Sequence, residues 1–441
     1  MKEKILQFGT GNFLRGFADD FIDKLNKDNL YDGKIVIVSP TDSKQVDVIQ
    51  AQQGKYNLYL RGIKNGREVC RRTEIHSVTR AINPYRDFNA YLELAQNPDL
   101  RFIISNTTEA GIAFSPDDKL TDSPAKSFPA KLTQLLYERY KAKLGGFVIF
   151  ACELIDNNAK ELEKCVLKYA RLWNLEEDFI DWIGNENKFC NTLVDRIVTG
   201  YPVDEAQTLF SEIGYEDKLL NTAEPYHLWV IEGDYENELP LSTAGLNVIW
   251  ADNVTPYKKM KVRILNGSHT SLVFPSLLCG VETVGESLND DELNPFLDTC
   301  LFNYILPALG ESDENRDFAS AVLERFANPY IKHMWKSISL NSVSKFTARV
   351  LPTIADYIKK YGEIPKPLVF SLACLIEYYQ TNDVSDDQSA VDYIKNHSVN
   401  DILSNTELWN CDLSSMSAFA NECLERILNT GIREAVKWIL S

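Results

Sequence analysis

Lys261, Asn266 and His269 sit in the stretch KMKVRILNGSHT, inside an otherwise apolar helical pattern. Taking Lys261 as zero on a helix of about 100° per residue, His269 falls at ~80° and Asn266 at ~140°. An ammonium, an amide and an imidazole on one arc suit ketone and alcohol chemistry without a metal. A lysine held near neutral pKa takes the alcohol proton in oxidation and returns it in reduction. An amide donor stabilises the developing alkoxide, and the imidazole can hold a neighbouring substrate hydroxyl. The plain alternative is a solvated lysine and a satisfied core histidine, since polar residues often share an arc by chance.

A second polar set interrupts FCNTLVDRIV, read as a helix, where Asn191 and Asp195 are four apart and share a face beside Arg196. A capped helix with an internal Asp–Arg pair is the alternative. Two further sets follow strand-like runs: Asn106-Thr107-Thr108-Glu109 after FIIS, and Cys152-Glu153-Leu154 after FVIFA. Polar residues at the carboxyl ends of parallel strands line the usual ligand crevice.

These residues need elements to hold them. KILQF runs into GTGNFLRGF, a helix-like stretch follows, and KIVIVSP comes next. Strand, glycine turn, helix and strand begin a βαβ unit. Gly9 permits a tight turn, Gly11 lets backbone amides approach a pyrophosphate, and Thr10, Asn12 and Phe13 complete the turn. The third glycine position holds Leu14. Arg15 either reaches a phosphate or solvates the helix start. After the second strand no acid stands in the usual ribose position, and Asp42 comes slightly beyond Ser39-Pro40-Thr41. No arginine is near in sequence, which favours NAD over NADP.

Strands LRFIISN and GFVIFACEL, with the helical AKLTQLLYERYKA between them, indicate a parallel sheet covered on both faces. Beyond about residue 250 the periodicity is helical throughout. The expected architecture is α/β: a Rossmann-type parallel-sheet N-terminal domain over 1–250 and an all-helical domain over 251–441. The acidic stretch NDVSDDQSAVD reads as a solvated loop.

The chain has 441 residues, 44% of them hydrophobic, a net charge of -17 and nine cysteines with no CxxC pair. The charge argues against nucleic acid and anionic lipid as partners. Scattered cysteines in odd number fit a reducing cytoplasm. No signal-peptide or membrane-spanning run is evident.

Taken together, GTGNFLRGF, SNTTEAGI, CELID, FCNTLVDRIVTGYP, KVRILNGSHT and RFANPYIKH resemble the mannitol dehydrogenase family of polyol-specific long-chain dehydrogenases, from about residue 4 to the C-terminus. The family's Lys-x4-Asn-x2-His pattern is met in full, and its turn reads GxGxFxR, so Leu14 is no departure. The resemblance implies metal-independent hydride transfer with NAD in a cleft between two domains. It implies Lys261 as acid/base, Asn191 with Asn266 as the oxyanion site, His269 on the substrate, and Glu109 near the cofactor. SNTTEAGI, TLVDRIVTGYP and NPYIKH are most similar to members that reduce the ketohexuronate tagaturonate to altronate. Fructuronate and mannitol-type polyols are the alternative substrates, and a non-catalytic nucleotide-binding protein is the distant alternative. A sugar-acid substrate wants a cation for its carboxylate. Lys332, His333, Lys336, Lys345 and Arg349 are the candidates. Lys345 and Arg349, four apart, are preferred. A monomer or homodimer is expected.

Overall fold

The computed structural model describes Met1–Ser441. Its residues fall into two compact units, Met1–Arg61 with Glu68–Thr255 and Gly62–Arg67 with Pro256–Ser441. Twelve strands occur: β1 (Lys2–Phe8), β2 (Gly33–Val38), β3 (Tyr56–Lys64), β4 (Arg67–Ile75), β5 (Val78–Ile82), β6 (Phe102–Ser105), β7 (Val148–Ala151), β8 (Lys188–Asp195), β9 (Val198–Gly200), β10 (Asn221–Ala223), β11 (Leu228–Glu232) and β12 (Val248–Ala251).

The first unit is built on an eight-stranded sheet of order β12-β11-β8-β7-β6-β1-β2-β5. From β5 to β8 every pairing is parallel. Numbered among themselves these six strands run 3-2-1-4-5-6, the doubly wound order whose reversal lies between β1 and β6. β11 joins β8 antiparallel and carries β12 parallel to itself. A smaller sheet, β4-β3-β10-β9, accompanies it.

Alternation along the strands decides which core each side chain enters. Ile5, Ile35, Ile37, Phe102, Ile104, Val148 and Phe150 join Phe21, Ile22 and Leu25 of the helix Ala18–Lys27. Leu6, Val36, Val38, Ile103 and Ile149 face Leu132, Leu135 and Leu136 of the helix Phe128–Lys141, and Leu162 and Val166 of the helix Asn158–Leu172. With both faces covered, the strands are continuous apolar runs, as their sequences suggest.

FCNTLVDRIV is not the helix expected from its sequence. Its residues up to Asp195 form β8, held between β7 and β11, because aromatic and β-branched residues there complete the sheet, and Val198 opens β9. Asn191 and Asp195 still share a face, since even spacing does so in a strand as fourfold spacing does in a helix.

In the second unit the chain is helical after β12, apart from one isolated bridge between Thr283 and Met334. The helix Gly267–Leu278 is its buried axis, and Ser371 of the helix Lys366–Thr381 donates to the Ser271 carbonyl at 2.6 Å. Asn65 and Gly66 turn left-handed to close the β3–β4 hairpin, and both their N–H groups donate to the Glu324 carboxylate. Half of the acidic stretch expected as loop is the helix Gln388–Asn396. Asp387 caps it by accepting from the Ser389 and Ala390 amides.

Candidate active site

The strand register places the first unit's candidates in one row. Val38, Phe8, Ser105, Ala151 and Asn191 are successive partners across β2, β1, β6, β7 and β8. One residue beyond, Gly9, Asn106 and Cys152 stand side by side at the carboxyl ends. Gly9 has φ 137°, and a Cβ there would come within 2.8 Å of the Asn106 carbonyl oxygen, so only glycine lets the two strand ends meet. A Cβ on Gly11 would meet nothing within 4 Å. The tight turn thus explains Gly9, while open space beside exposed Gly11 and Asn12 leaves the backbone approachable by a pyrophosphate. Thr10 and Phe13 are half-buried, and Phe13 stacks on Phe17 at 5.0 Å.

Arg15 is turned away from any phosphate. It is 3% exposed, and its guanidinium donates to the Leu219 carbonyl at 2.6 Å and to Asn12 Oδ1. The residue braces the turn from behind, over the Tyr56 ring. Arg196 does likewise, donating to the Gly16 carbonyl and Asp20 at 2.8 Å each. Gly16 is crowded by Val198, to which a Cβ would come within 2.9 Å.

At the β6 and β7 ends Asn106 donates to the Cys152 carbonyl at 2.6 Å. Thr107 donates both its amide and its hydroxyl to Glu153, each at 3.0 Å, and Ser105 adds a third bond at 3.0 Å. Burial pushes the Glu153 carboxyl up from its usual value, and these donors offset part of that. The sequence places Glu153 in a polar set at a strand end but gives it no role; the three bonds it accepts show that it ties the ends of β6 and β7 together. Cys152, expected at the cofactor, is fully buried: its amide donates to the Ser105 carbonyl at 2.8 Å and its carbonyl accepts from Asn106, so it supports the strand end from beneath rather than facing a cofactor. Thr108, β-branched yet at φ 87°, and Glu109 are exposed.

Asn191 is fixed at both ends. Its Oδ1 accepts the Ala159 and Lys160 amides at 3.1 Å each, and its Nδ2 donates to Glu232 at 2.8 Å. The amide orientation is thereby set, with one N–H of Nδ2 left over to act as a donor. Glu232, at the end of β11, is a second partner that sequence reading did not single out.

Asp42 accepts from Asn83 at 2.8 Å. Arg86 approaches it to 3.5 Å and pairs with Asp47 at 2.6 Å. An arginine is therefore near the ribose end after all; its distance along the chain concealed it.

In the second unit, Lys261, Asn266 and His269 do not lie on a plain α-helix. A helix over Thr255–Lys261 passes into a π-helical segment, Val262–Asn266, before Gly267–Leu278 continues. The Gly267 amide donates to the Val262 carbonyl, an i→i+5 bond. In such a turn positions five apart lie close to one face, so Lys261 and Asn266 share a face, whereas a plain α-helix would splay them. His269, three residues on, follows on the same face. Arg263 inside the segment is buried and donates to Thr353 at 2.8 Å and Asp356 at 3.2 Å. His269 stacks on Phe326 at 4.1 Å between ring centres and meets His333 and Trp335 edge-on. Burial, then the Arg325 charge, pulls the His333 pKa below the usual imidazole value.

Among the cations proposed for a carboxylate, Lys332 and Lys336 are exposed. Lys345 and Arg349 do share the helix Ser342–Arg349. They differ in aim: Lys345 donates to the Ile338 carbonyl at 2.9 Å, whereas Arg349 lies 3.5 Å from Thr270, whose hydroxyl donates to the Asn266 carbonyl at 2.8 Å. Burial lowers the pKa of each, and the neighbouring Arg349 charge lowers Lys345 further.

The comparisons agree with this architecture. The mannitol dehydrogenase Rossmann domain profile matches residues 3–242 and the mannitol dehydrogenase C-terminal domain profile matches 253–429. The chain belongs to the mannitol dehydrogenase family. It is 42% identical to an altronate oxidoreductase of Bacillus subtilis (strain 168) over 455 residues, covering 99% of this chain and 95% of that one. An altronate oxidoreductase of Enterobacter sp. (strain 638) is 43% identical over 465 residues, covering 99% and 96%. In fold the chain is similar to a substrate-free D-sorbitol dehydrogenase, with a TM-score of 0.87, 23% identity and coverage of 99% and 95%. The Pseudomonas fluorescens mannitol 2-dehydrogenase, solved with NAD and D-mannitol, has a TM-score of 0.73, 22% identity and coverage of 100% and 94%.

Proposed function

We propose that this chain is an NAD-dependent altronate oxidoreductase that reduces tagaturonate to altronate, a step of hexuronate catabolism. Full-length likeness to curated altronate oxidoreductases supports the substrate. The observation that carries the mechanism is the π-helical segment Val262–Asn266, whose wider turn brings positions five apart, such as Lys261 and Asn266, towards one face. NADH, when bound, supplies the hydride to the carbonyl carbon. In this reading Gly9, Thr10, Gly11, Asn12 and Phe13 form the pyrophosphate turn, and Asp42 holds the ribose. Asn106 with the backbone of Thr107 and Glu109 borders the nicotinamide end, and buried Cys152 supports Asn106 from beneath.

Asn191 and Asn266 donate to the carbonyl oxygen as its charge grows. Lys261, protonated, gives its proton to that oxygen and is left neutral; in the oxidation direction it takes the proton back. No metal is needed in this scheme, because the ammonium and two amides meet the developing charge. His269, held in place by Phe326, contacts a substrate hydroxyl. Arg349 is the preferred partner for the substrate carboxylate, with Lys345 as a more distant support.

The free state of all nine cysteines supports a cytoplasmic setting, and no helix is long and apolar enough to cross a membrane. A monomer or homodimer acting on a small sugar acid is the assembly that goes with this reading.

Lys261→Ala tests the mechanism. Turnover should fall roughly 10²–10⁴-fold while NADH binding is kept, as for loss of a general acid. An Ala variant with unchanged turnover would remove Lys261 from the acid/base role, and no turnover in the wild type with tagaturonate, fructuronate or fructose would leave a nucleotide-binding protein on a dehydrogenase scaffold.

A further inference from the structure

The ribose end of the nucleotide site holds an arginine that its neighbours keep occupied. Asn83, 4% exposed, ties two loops together: its amide donates to Asp42, and its own backbone carbonyl accepts the Arg86 and Asp87 amides at 3.0 Å each. The loop after β2 and the loop after β5 are thus one unit. Arg86 is set between Asp42, at 3.5 Å, and Asp47, at 2.6 Å. Asp47 comes from the first turn of the helix Gln45–Ala51. Val46, Asp47, Gln50, Ile82, Asn83 and Arg86 line a cleft of about 270 Å³ here.

In doubly wound folds an acid at this end binds ribose hydroxyls, whereas a nearby arginine accepts the 2′-phosphate of NADP. Both are present. Their balance decides: Asp42, Asp47 and Asp87 outnumber Arg80 and Arg86 around this cleft, and Arg80 is already paired with Glu3, so a doubly charged phosphate meets net negative charge. We propose that Asp47, by pairing with Arg86, is a specificity-determining residue that keeps this chain selective for NADH, and that Arg86 is a latent 2′-phosphate acceptor. This rests on the reading that the cofactor's ribose lies beside Asp42.

Without Asp47, Arg86 can turn its fork to a phosphate, where two parallel N–H···O bonds form. The test measures kcat/KM with NADH and with NADPH for wild type, Asp47→Asn, Arg86→Ala and the double variant. Asp47→Asn should raise kcat/KM with NADPH by about tenfold or more, the scale of one charge-assisted hydrogen bond. Adding Arg86→Ala should abolish that gain. A gain that survives loss of Arg86 would overturn the proposal, since charge removal alone would then explain it. So would an absent gain, or a wild type that already prefers NADPH. Asp42→Ala separates the underlying reading: if its KM for NADH is unchanged, the ribose is not at this end and both statements fail together.

Discussion

The chemistry assigned to this chain turns on a few side chains whose neighbours restrict what they can do. Asn191 spends its oxygen on two backbone amides, so it can only donate toward substrate. Arg349 is the cation whose guanidinium reaches Thr270, on the helix that carries His269. Arg349→Ala should therefore raise KM for tagaturonate about a hundredfold, the loss of a bidentate charge-assisted contact. KM for fructose, which lacks the carboxylate, should change little. Lys345→Ala should cost less, because its amine is already held by the Ile338 carbonyl. Equal losses for both ketoses in steady-state assays would remove Arg349 from the carboxylate. The candidate residue types and their order along the chain were readable from sequence. The fixed amide of Asn191 and the stack of His269 on Phe326 were not, because each needs a partner dozens of residues away.

At the scale of elements, the glycine turn of the first unit and the π segment of the second carry the candidate residues. The turn's strand–glycine–helix order was legible because buried parallel strands carry their signature in each short run. The π segment was hidden, since an inserted i→i+5 turn leaves no periodicity of its own in five residues. A turn of about 100° per residue is the wrong geometry for KMKVRILNGSHT, because Val262–Asn266 is π-helical. FCNTLVDRIV misled in the opposite sense: spacing of four cannot distinguish a helix face from a strand face.

Behind the glycine turn, Asp19 of the helix Ala18–Lys27 accepts from the Tyr56 hydroxyl at 2.9 Å. Burial pushes its carboxyl up to about 7, with the Tyr56 bond and the Arg15 charge offsetting only part of this. The folded state therefore holds this proton more tightly than the unfolded chain. Its stabilisation is complete below the ordinary carboxylate pKa and is lost as pH rises through about 7. Asp19→Asn should thus gain in thermal midpoint relative to wild type between about pH 5 and about pH 8.5. A difference between the two proteins that stays constant across that range would mean Asp19 does not titrate there.

For the whole molecule, the net charge of -17 matters for an anionic substrate and an anionic cofactor. Its long-range field repels both, and salt screens that field beyond about 10 Å at 0.1 M while leaving half-buried contacts such as Arg349 less affected. Raising ionic strength from about 0.01 M to about 0.1 M should hold or raise kcat/KM for tagaturonate. A steep fall would indicate steering by a basic surface. The division into a doubly wound sheet and a helical unit was legible in the loss of strand-like runs after residue 250. The membership of Gly62–Arg67 in the second unit was not, because it depends on Glu324, far along the chain. The most direct measurement of the central claim is a comparison of kcat/KM with NADH for tagaturonate, fructuronate and fructose on the same preparation. Tagaturonate should lead each of the others by about tenfold or more, the scale of one well-placed polar contact. A higher value for fructose would contradict the account.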